Sequence, residues 1–223
     1  MAQVVPHENG RPRILLVEGV PGIGKSTMLD RMLRTYVAGE TEGQLRTVVS
    51  LAQTHTYGPL AVSEDLGTLT KEASLEHLNG IVGWLEWIAD NSKRQPRPKS
   101  FLLLDTLHLT HCLRPGVLDW RDVVPVDRRL AAIGCKLLLL DAENDTIRER
   151  TVEARADTEF VREYALGRFG QNDAELVDYF QRERDLFREM CSESSMEKMR
   201  LMAEEPLEET AALASRFWSS PGA

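Results

Sequence analysis

Short, nearly continuous apolar runs alternate along the chain with longer stretches whose apolar residues recur every three or four positions. RILLVEG (13–19), LRTVVSLA (45–52), FLLLD (101–105) and KLLLLD (136–141) are runs of the first kind, and EKMRLMA (197–203) is a weaker fifth. Such runs are the pattern of strands covered on both faces, as in a parallel sheet. Helical periodicity covers 25–37, 74–90, 144–154, 173–191 and 206–218. In 74–90 it is carried by Leu75, Leu78, Ile81, Val82, Leu85 and Ile88, and in 173–191 by residues such as Leu176, Phe180 and Phe187. Trp84 and Trp87 fall on one side of the former helix, which predicts that they fill a core. Strand and helix in alternation predict an α/β fold, with five parallel strands flanked by helices through right-handed crossovers. Residues 1–12 are polar, with Pro6, Gly10 and Pro12, and read as a flexible arm before one domain over 13–218. NSKRQPRPKS (91–100) reads as a solvent loop ahead of the third strand.

Composition narrows the function classes. The 223 residues suit one large domain, and 42% hydrophobic with 28% charged residues is the balance of a soluble globular chain. A net charge of −8, from 27 Lys+Arg against 35 Asp+Glu, does not suit a protein that grips nucleic-acid backbones. No apolar run approaches the length of a membrane span. MAQVVPHENGRPR offers no apolar stretch for a signal peptide, and Cys112, Cys135 and Cys191 show no CxxC spacing, so reduced thiols in the cytoplasm are expected.

The first strand runs directly into Gly19-Val20-Pro21-Gly22-Ile23-Gly24-Lys25-Ser26-Thr27, a complete G-x-x-x-x-G-K-[ST] at a strand-to-helix turn. Glycines let successive N–H groups turn inward as an anion nest, and the following helix adds its positive end. Lys25, expected to face solvent until phosphate arrives, supplies a point charge between β- and γ-phosphates. The Ser26 hydroxyl can ligate Mg²⁺, and Thr27 can reach the α-phosphate. These residues predict binding of a nucleoside triphosphate with Mg²⁺. No NKxD and no DxxG accompany the loop, which weakens a GTPase reading.

VEGVPGIGKST, with Glu18 ahead of the loop, resembles the start of the thymidylate kinase and deoxynucleoside kinase families, and the likeness runs over 13–218. DTIRERTVEAR (145–155) is similar to the helix that leads into their arginine-bearing lid, and EEPLEETAALASRFW (204–218) to their closing helix. The resemblance implies a three-layer P-loop kinase fold, a mobile lid at about 148–172, and ATP- and Mg²⁺-dependent phosphoryl transfer, with adenine as the donor base. It places Arg150 and Arg155 as lid contacts to the transferring phosphoryl. Arg148, Arg162 and Arg168 lie nearby, and the acids interleaved with them are also the pattern of a solvated helix laced with ion pairs. Asp105, at the end of FLLLD, has the Walker B form and could hold Mg²⁺ or take the acceptor's proton. Asp141 ends KLLLLD in the same way. Asp105 is preferred because its strand is the third, as in those families.

On the acceptor side, Gln53, His55 and Tyr57 follow the second strand, and His55 or Tyr57 could hydrogen-bond or stack on a flat acceptor. A polar loop with a packed tyrosine explains the same residues. Thymidylate kinases have Asp-Arg and deoxynucleoside kinases Glu-Arg at the end of the third strand, whereas this chain has Asp105-Thr106. The missing arginine favours a neutral hydroxyl acceptor over a monophosphate, with Arg114 the residue that could restore the charge. His108 and His111 have the spacing of a metal pair without a third ligand. The expected partner is thus a small nucleoside- or nucleotide-like acceptor, with an antibiotic or sugar as the alternative acceptor. An ATPase or switch acting on a protein is the alternative class, and a homodimer is open.

Overall fold

The structure, a computed structural model, describes residues 12–38, 46–92, 99–113, 116–159, 161 and 165–220. The arm read over 1–12 lies outside these, Pro12 apart. Five strands form one all-parallel sheet: β1 (Arg13–Glu18), β2 (Arg46–Leu51), β3 (Lys99–Asp105), β4 (Cys135–Asp141) and β5 (Glu197–Met202). Their order is β2-β3-β1-β4-β5, with Val17 level with Asp105 and Glu18 level with Leu139. β1 and β4 are buried almost throughout, as continuous apolar runs require, and the edge strand β5 is mixed, as its weaker pattern foretells.

Right-handed crossovers decide which face each helix covers. The connection β1 to β2 runs one way across the sheet, and it carries α1 (Lys25–Ala38), which packs beside the closing helix α9 (Leu207–Ser219). Tyr36, Phe101 and Trp218 interlock between that layer and the sheet. The other connections run the opposite way. They carry α2 (Gln53–Thr56), α3 (Gly58–Asp65), α4 (Lys71–Ser92), α5 (His108–Leu113), α6 (Trp120–Ala132), α7 (Asn144–Ile147) and α8 (Asp173–Glu193). Because the loop after β1 leaves toward one face and those after β3 and β4 toward the other, a crevice opens on each side of the β1 loop. Ligands collect at such switch points.

The fold departs from the sequence expectation in three respects. α2, α3, α5 and α6 occupy stretches the periodicity did not mark. α6 carries Pro125 in its interior and strongly polar residues, yet its start is built by a capping box in which Asp119 accepts from the Asp122 N–H and Asp122 accepts from the Asp119 N–H. The helix expected at 144–154 is regular only over α7, continuing as a π-turn (Arg148–Val152) and a 3-10 turn (Glu153–Arg155). Trp84 and Trp87 are exposed rather than buried, because Leu78, Val82 and Leu85 take the inward stripe of α4.

Candidate functional site

Three neighbouring strands, β1, β3 and β4, each end in a carboxylate at the same edge of the sheet. Their surroundings separate them. Glu18 is wholly buried and accepts from the Leu107 and Leu109 N–H groups and the Thr110 hydroxyl, so it ties down the start of α5. Burial raises its carboxyl above the usual range against the pull of His108 and those donors. Asp141 is paired with Arg188 at 2.7 Å and Arg200 at 3.3 Å, a cross-link between β4, α8 and β5. Asp105 accepts from the Ser26 hydroxyl at 2.7 Å through Oδ2, while its buried Oδ1 has no hydrogen-bond partner among the described residues. Of the two acids left open by the sequence, Asp105 is therefore the one beside the phosphate-binding loop.

That loop is shaped by three glycines in conformations that side chains disfavour, Gly24 at φ +110° among them. Gly19 has φ +144°, and a Cβ there would lie 2.3 Å from the Leu140 carbonyl oxygen. Gly22 has φ +82°, and a Cβ there would meet the Arg155 guanidinium at 3.0 Å and the Arg150 carbonyl at 3.1 Å. Val20 and Ile23 are buried and anchor the loop from below. Lys25 corrects the expectation of a solvent-facing side chain. It is 7% exposed, and Nζ donates to the Gly19 and Val20 carbonyls at 2.7 and 2.9 Å, folded over the loop it would serve.

A cleft of about 490 Å³ runs from this loop toward β2, lined by Pro21, Gly22, Gly24, Lys25, Ser26 and Thr27 on one side. Gln53, Thr54, Tyr57, Gly58 and Ala61 line the other side, and Arg155 joins the lining beside Gly22. On the opposite flank a smaller cleft of about 240 Å³ lies between Gly22–Gly24, Thr27 and the chain after β5, with Arg150 in its wall. Arg150 donates to the Ala203 carbonyl at 2.7 Å. Thr151 donates to the Pro21 carbonyl at 2.8 Å, which seats the π-turn on the loop. Arg150 and Arg155 thus border different clefts. His55 is exposed and faces neither, lining a separate groove of about 380 Å³ with His77, Ile81 and Trp84. Arg114 and Arg162 lie outside the described residues.

Thr106, where an arginine was missed, has φ +62° in the left-handed region, an outlier for a β-branched residue. Its N–H reaches the Val17 carbonyl, and its hydroxyl and that of Thr56 both reach the Asp105 carbonyl. The strained turn thereby holds the end of β3 close to β1 and α2. Behind it, His77 Nε2 and His111 Nε2 both contact the Thr56 carbonyl, and Ser74 meets His111 Nδ1 at 3.2 Å. Burial lowers His111 to about 4, so its ring is neutral near pH 7, donating through Nε2. His108 instead meets Asp127, which also accepts from Ser194 and the Ser195 N–H. The two histidines therefore serve separate networks, and no metal-binding cluster of three occurs among the described residues. Burial pushes all three cysteine thiols up, which leaves them protonated. No helix among the described residues is long and apolar enough to cross a membrane.

A phosphate-binding loop after β1, an acid at the end of the adjacent β3 and a β2-β3-β1-β4-β5 sheet define the P-loop kinase fold. Among solved structures, the chain is similar to the YorR protein of Bacillus subtilis, whose crystal structure is of a complex with phosphorylated GDP. The match has a TM-score of 0.51 and 13% identity, and covers 89% of this chain and 91% of that one. At that identity the likeness is one of fold. No family model and no curated protein matches the chain.

Proposed function

We propose that the protein is an ATP- and Mg²⁺-dependent phosphotransferase that moves the γ-phosphoryl of ATP to a hydroxyl of a small molecule of the nucleoside or nucleotide class. The observation that carries this reading is the pairing of the complete phosphate-binding loop with Asp105 at 2.7 Å from Ser26, between two clefts. One cleft suits the donor's base and ribose, beside Arg150 and the chain after β5. The other suits the acceptor, beside Gln53, Thr54 and Tyr57. The phosphates then lie across the loop between them.

Mg²⁺ fits the residues present, since Asp105 Oδ1 is a buried oxygen with no partner among the described residues and the Ser26 hydroxyl meets the same carboxylate. When bound, it neutralises charge on the β- and γ-phosphates. The loop N–H groups hold the β-phosphate, Lys25 turns from its loop carbonyls to the bridging region, and Arg155 balances charge on the departing group. The acceptor oxygen forms its bond to Pγ as the Pγ–O bond to ADP breaks, and the hydroxyl proton leaves toward the Asp105 side of the cleft. The phosphorylated GDP held by YorR makes GTP the natural comparison donor. An antibiotic or sugar acceptor uses the same geometry. An ATPase acting on a protein partner would leave the acceptor cleft without a small-molecule ligand.

The test is ADP release with and without candidate acceptors, repeated with Lys25→Ala. The reading predicts acceleration by one compound class, lowered by on the order of 10²- to 10³-fold in the variant. A slow rate that no compound raises would favour the ATPase.

A further inference from the structure

The wall of the acceptor cleft is tied to a chain of side chains that the phosphate-binding loop does not use. Tyr57, 4% exposed, donates its hydroxyl proton to Glu64 on α3. The Glu64 carboxylate, itself only 4% exposed, accepts on its other oxygen from Arg168 Nη2, and Arg168 Nη1 reaches Asp65 at 2.8 Å. Arg168 belongs to the segment that follows the turns bearing Arg150 and Arg155. One guanidinium is therefore held by two carboxylates, one of them buried one side chain away from the cleft. With the Tyr57 proton committed to Glu64, the tyrosine presents its ring to the cleft. Among the described residues, the remaining acceptor-side lining, Gln53, Thr54, Gly58 and Ala61, is uncharged, and the cations lining the cleft, Lys25 and Arg155, both lie against the phosphate-binding loop.

From this arrangement we infer that Glu64 is a specificity-determining residue, which fixes Tyr57 and makes the acceptor cleft select a non-anionic hydroxyl compound over one that already carries a phosphate. The inference rests on the phosphotransferase reading and narrows it. A phosphate on the acceptor brings two negative charges that need fixed cations, and bidentate arginine is the usual solution. Here Arg168, the acceptor-side arginine among the described residues, is bound to acids, and the surplus carboxylate works against an anion, which is selectivity by an unfavourable contact. Tyr57 and Glu64 act at different distances: the ring touches the acceptor, and Glu64 acts through it as a positioning group and as a charge.

The experiment measures kcat/KM by ADP release for nucleosides, their 5′-monophosphates and hydroxylated antibiotics, taking the ratio of the best non-anionic compound to the best monophosphate. The expected ratio exceeds tenfold in the unmodified chain, on the order of a like-charge penalty. Glu64→Gln, which keeps the size and a hydrogen-bonding oxygen, should shrink that ratio about tenfold. Arg168→Gln, which exposes the carboxylates, should widen it. Asp65→Asn at an exposed position should shrink it less, and serves if Glu64→Gln does not fold. A purely structural role would lower both rates together and leave the ratio unmoved. A preference for a monophosphate in the unmodified chain, or a ratio indifferent to all three variants, overturns the inference alone. ADP release that no compound accelerates overturns the phosphotransferase reading and the inference with it.

Discussion

Lys25 and Gly22 carry the first two residue-scale predictions. Lys25 is held against its own loop by two carbonyls, so its charge is stored within reach of the anion nest instead of in solvent. Lys25→Ala should lower kcat by on the order of 10²- to 10³-fold, the usual loss of a group stabilising developing charge. Its circular dichroism should stay unchanged, and turnover equal to that of the unmodified chain would remove Lys25 from the site. Gly22 lies inside the loop at a position the motif leaves open, and the reason for a glycine there was not legible: the side-chain space it lacks is taken by Arg155 and the Arg150 carbonyl. Gly22→Ala combines a left-handed backbone with that crowding. It should weaken ATP binding about tenfold and cost about 1 kcal/mol of stability, read by calorimetry and thermal unfolding. Unaltered affinity would mean that the turns at 148–155 do not seat on the loop in solution. Glu64 was invisible in the sequence, since nothing in SEDL announces that one acid of a polar turn is buried against a tyrosine.

At the scale of elements, the π-turn and the 3-10 turn after α7 separate two arginines that the sequence alone treats alike. Arg155→Ala should lower kcat by on the order of 10²- to 10⁴-fold with a smaller change in KM for ATP, because it borders the larger cleft beside Gly22. Arg150→Ala should act chiefly on KM for ATP, because its guanidinium is bound to the Ala203 carbonyl beside the smaller cleft. Equal effects on both constants would place the two on one side of the loop. The junction of α2, α4 and α5 gives a pH prediction. His111 is depressed to about 4 by burial, against about 6.5 in an unfolded chain, so the unfolded state binds the proton first as pH falls. The stability contributed by the neutral ring is complete above pH 6.5 and is lost on descending toward 4, at up to about 1.4 kcal/mol per pH unit. Chemical denaturation from pH 7 to 4.5 should show this slope in the unmodified chain and a shallower one in His111→Gln. Parallel slopes would mean that His111 takes its proton in the folded state.

Across the whole molecule, what was legible and what was not divides along burial. The five strands, and α1, α4, α8 and α9, announced themselves because long segments packed against a sheet must show an apolar period. The phosphate-binding loop was legible because its chemistry is local, with every required residue within nine positions. The proposed acceptor side was legible only in Gln53 and Tyr57, because it draws on α2, α3 and a segment more than a hundred residues later, where single polar side chains make the contacts. His55 and Tyr57 lie two residues apart, yet the start of α3 turns only Tyr57 into the cleft. Trp84 and Trp87 misled for a related reason, since helical spacing shows that residues share a side without showing which side faces the core. The same architecture sets the central claim, that a donor in one cleft and an acceptor in the other meet over Lys25, Ser26 and Asp105. The measurement that tests it most directly uses ATP labelled at the γ-phosphoryl, incubated with Mg²⁺ and the panel of hydroxyl compounds, with the label then followed by chromatography. The claim predicts label covalently attached to one class of acceptor in amounts equal to the ADP released, and attachment slowed by on the order of 10²- to 10³-fold with Lys25→Ala; label recovered only as inorganic phosphate, whatever compound is present, would contradict it.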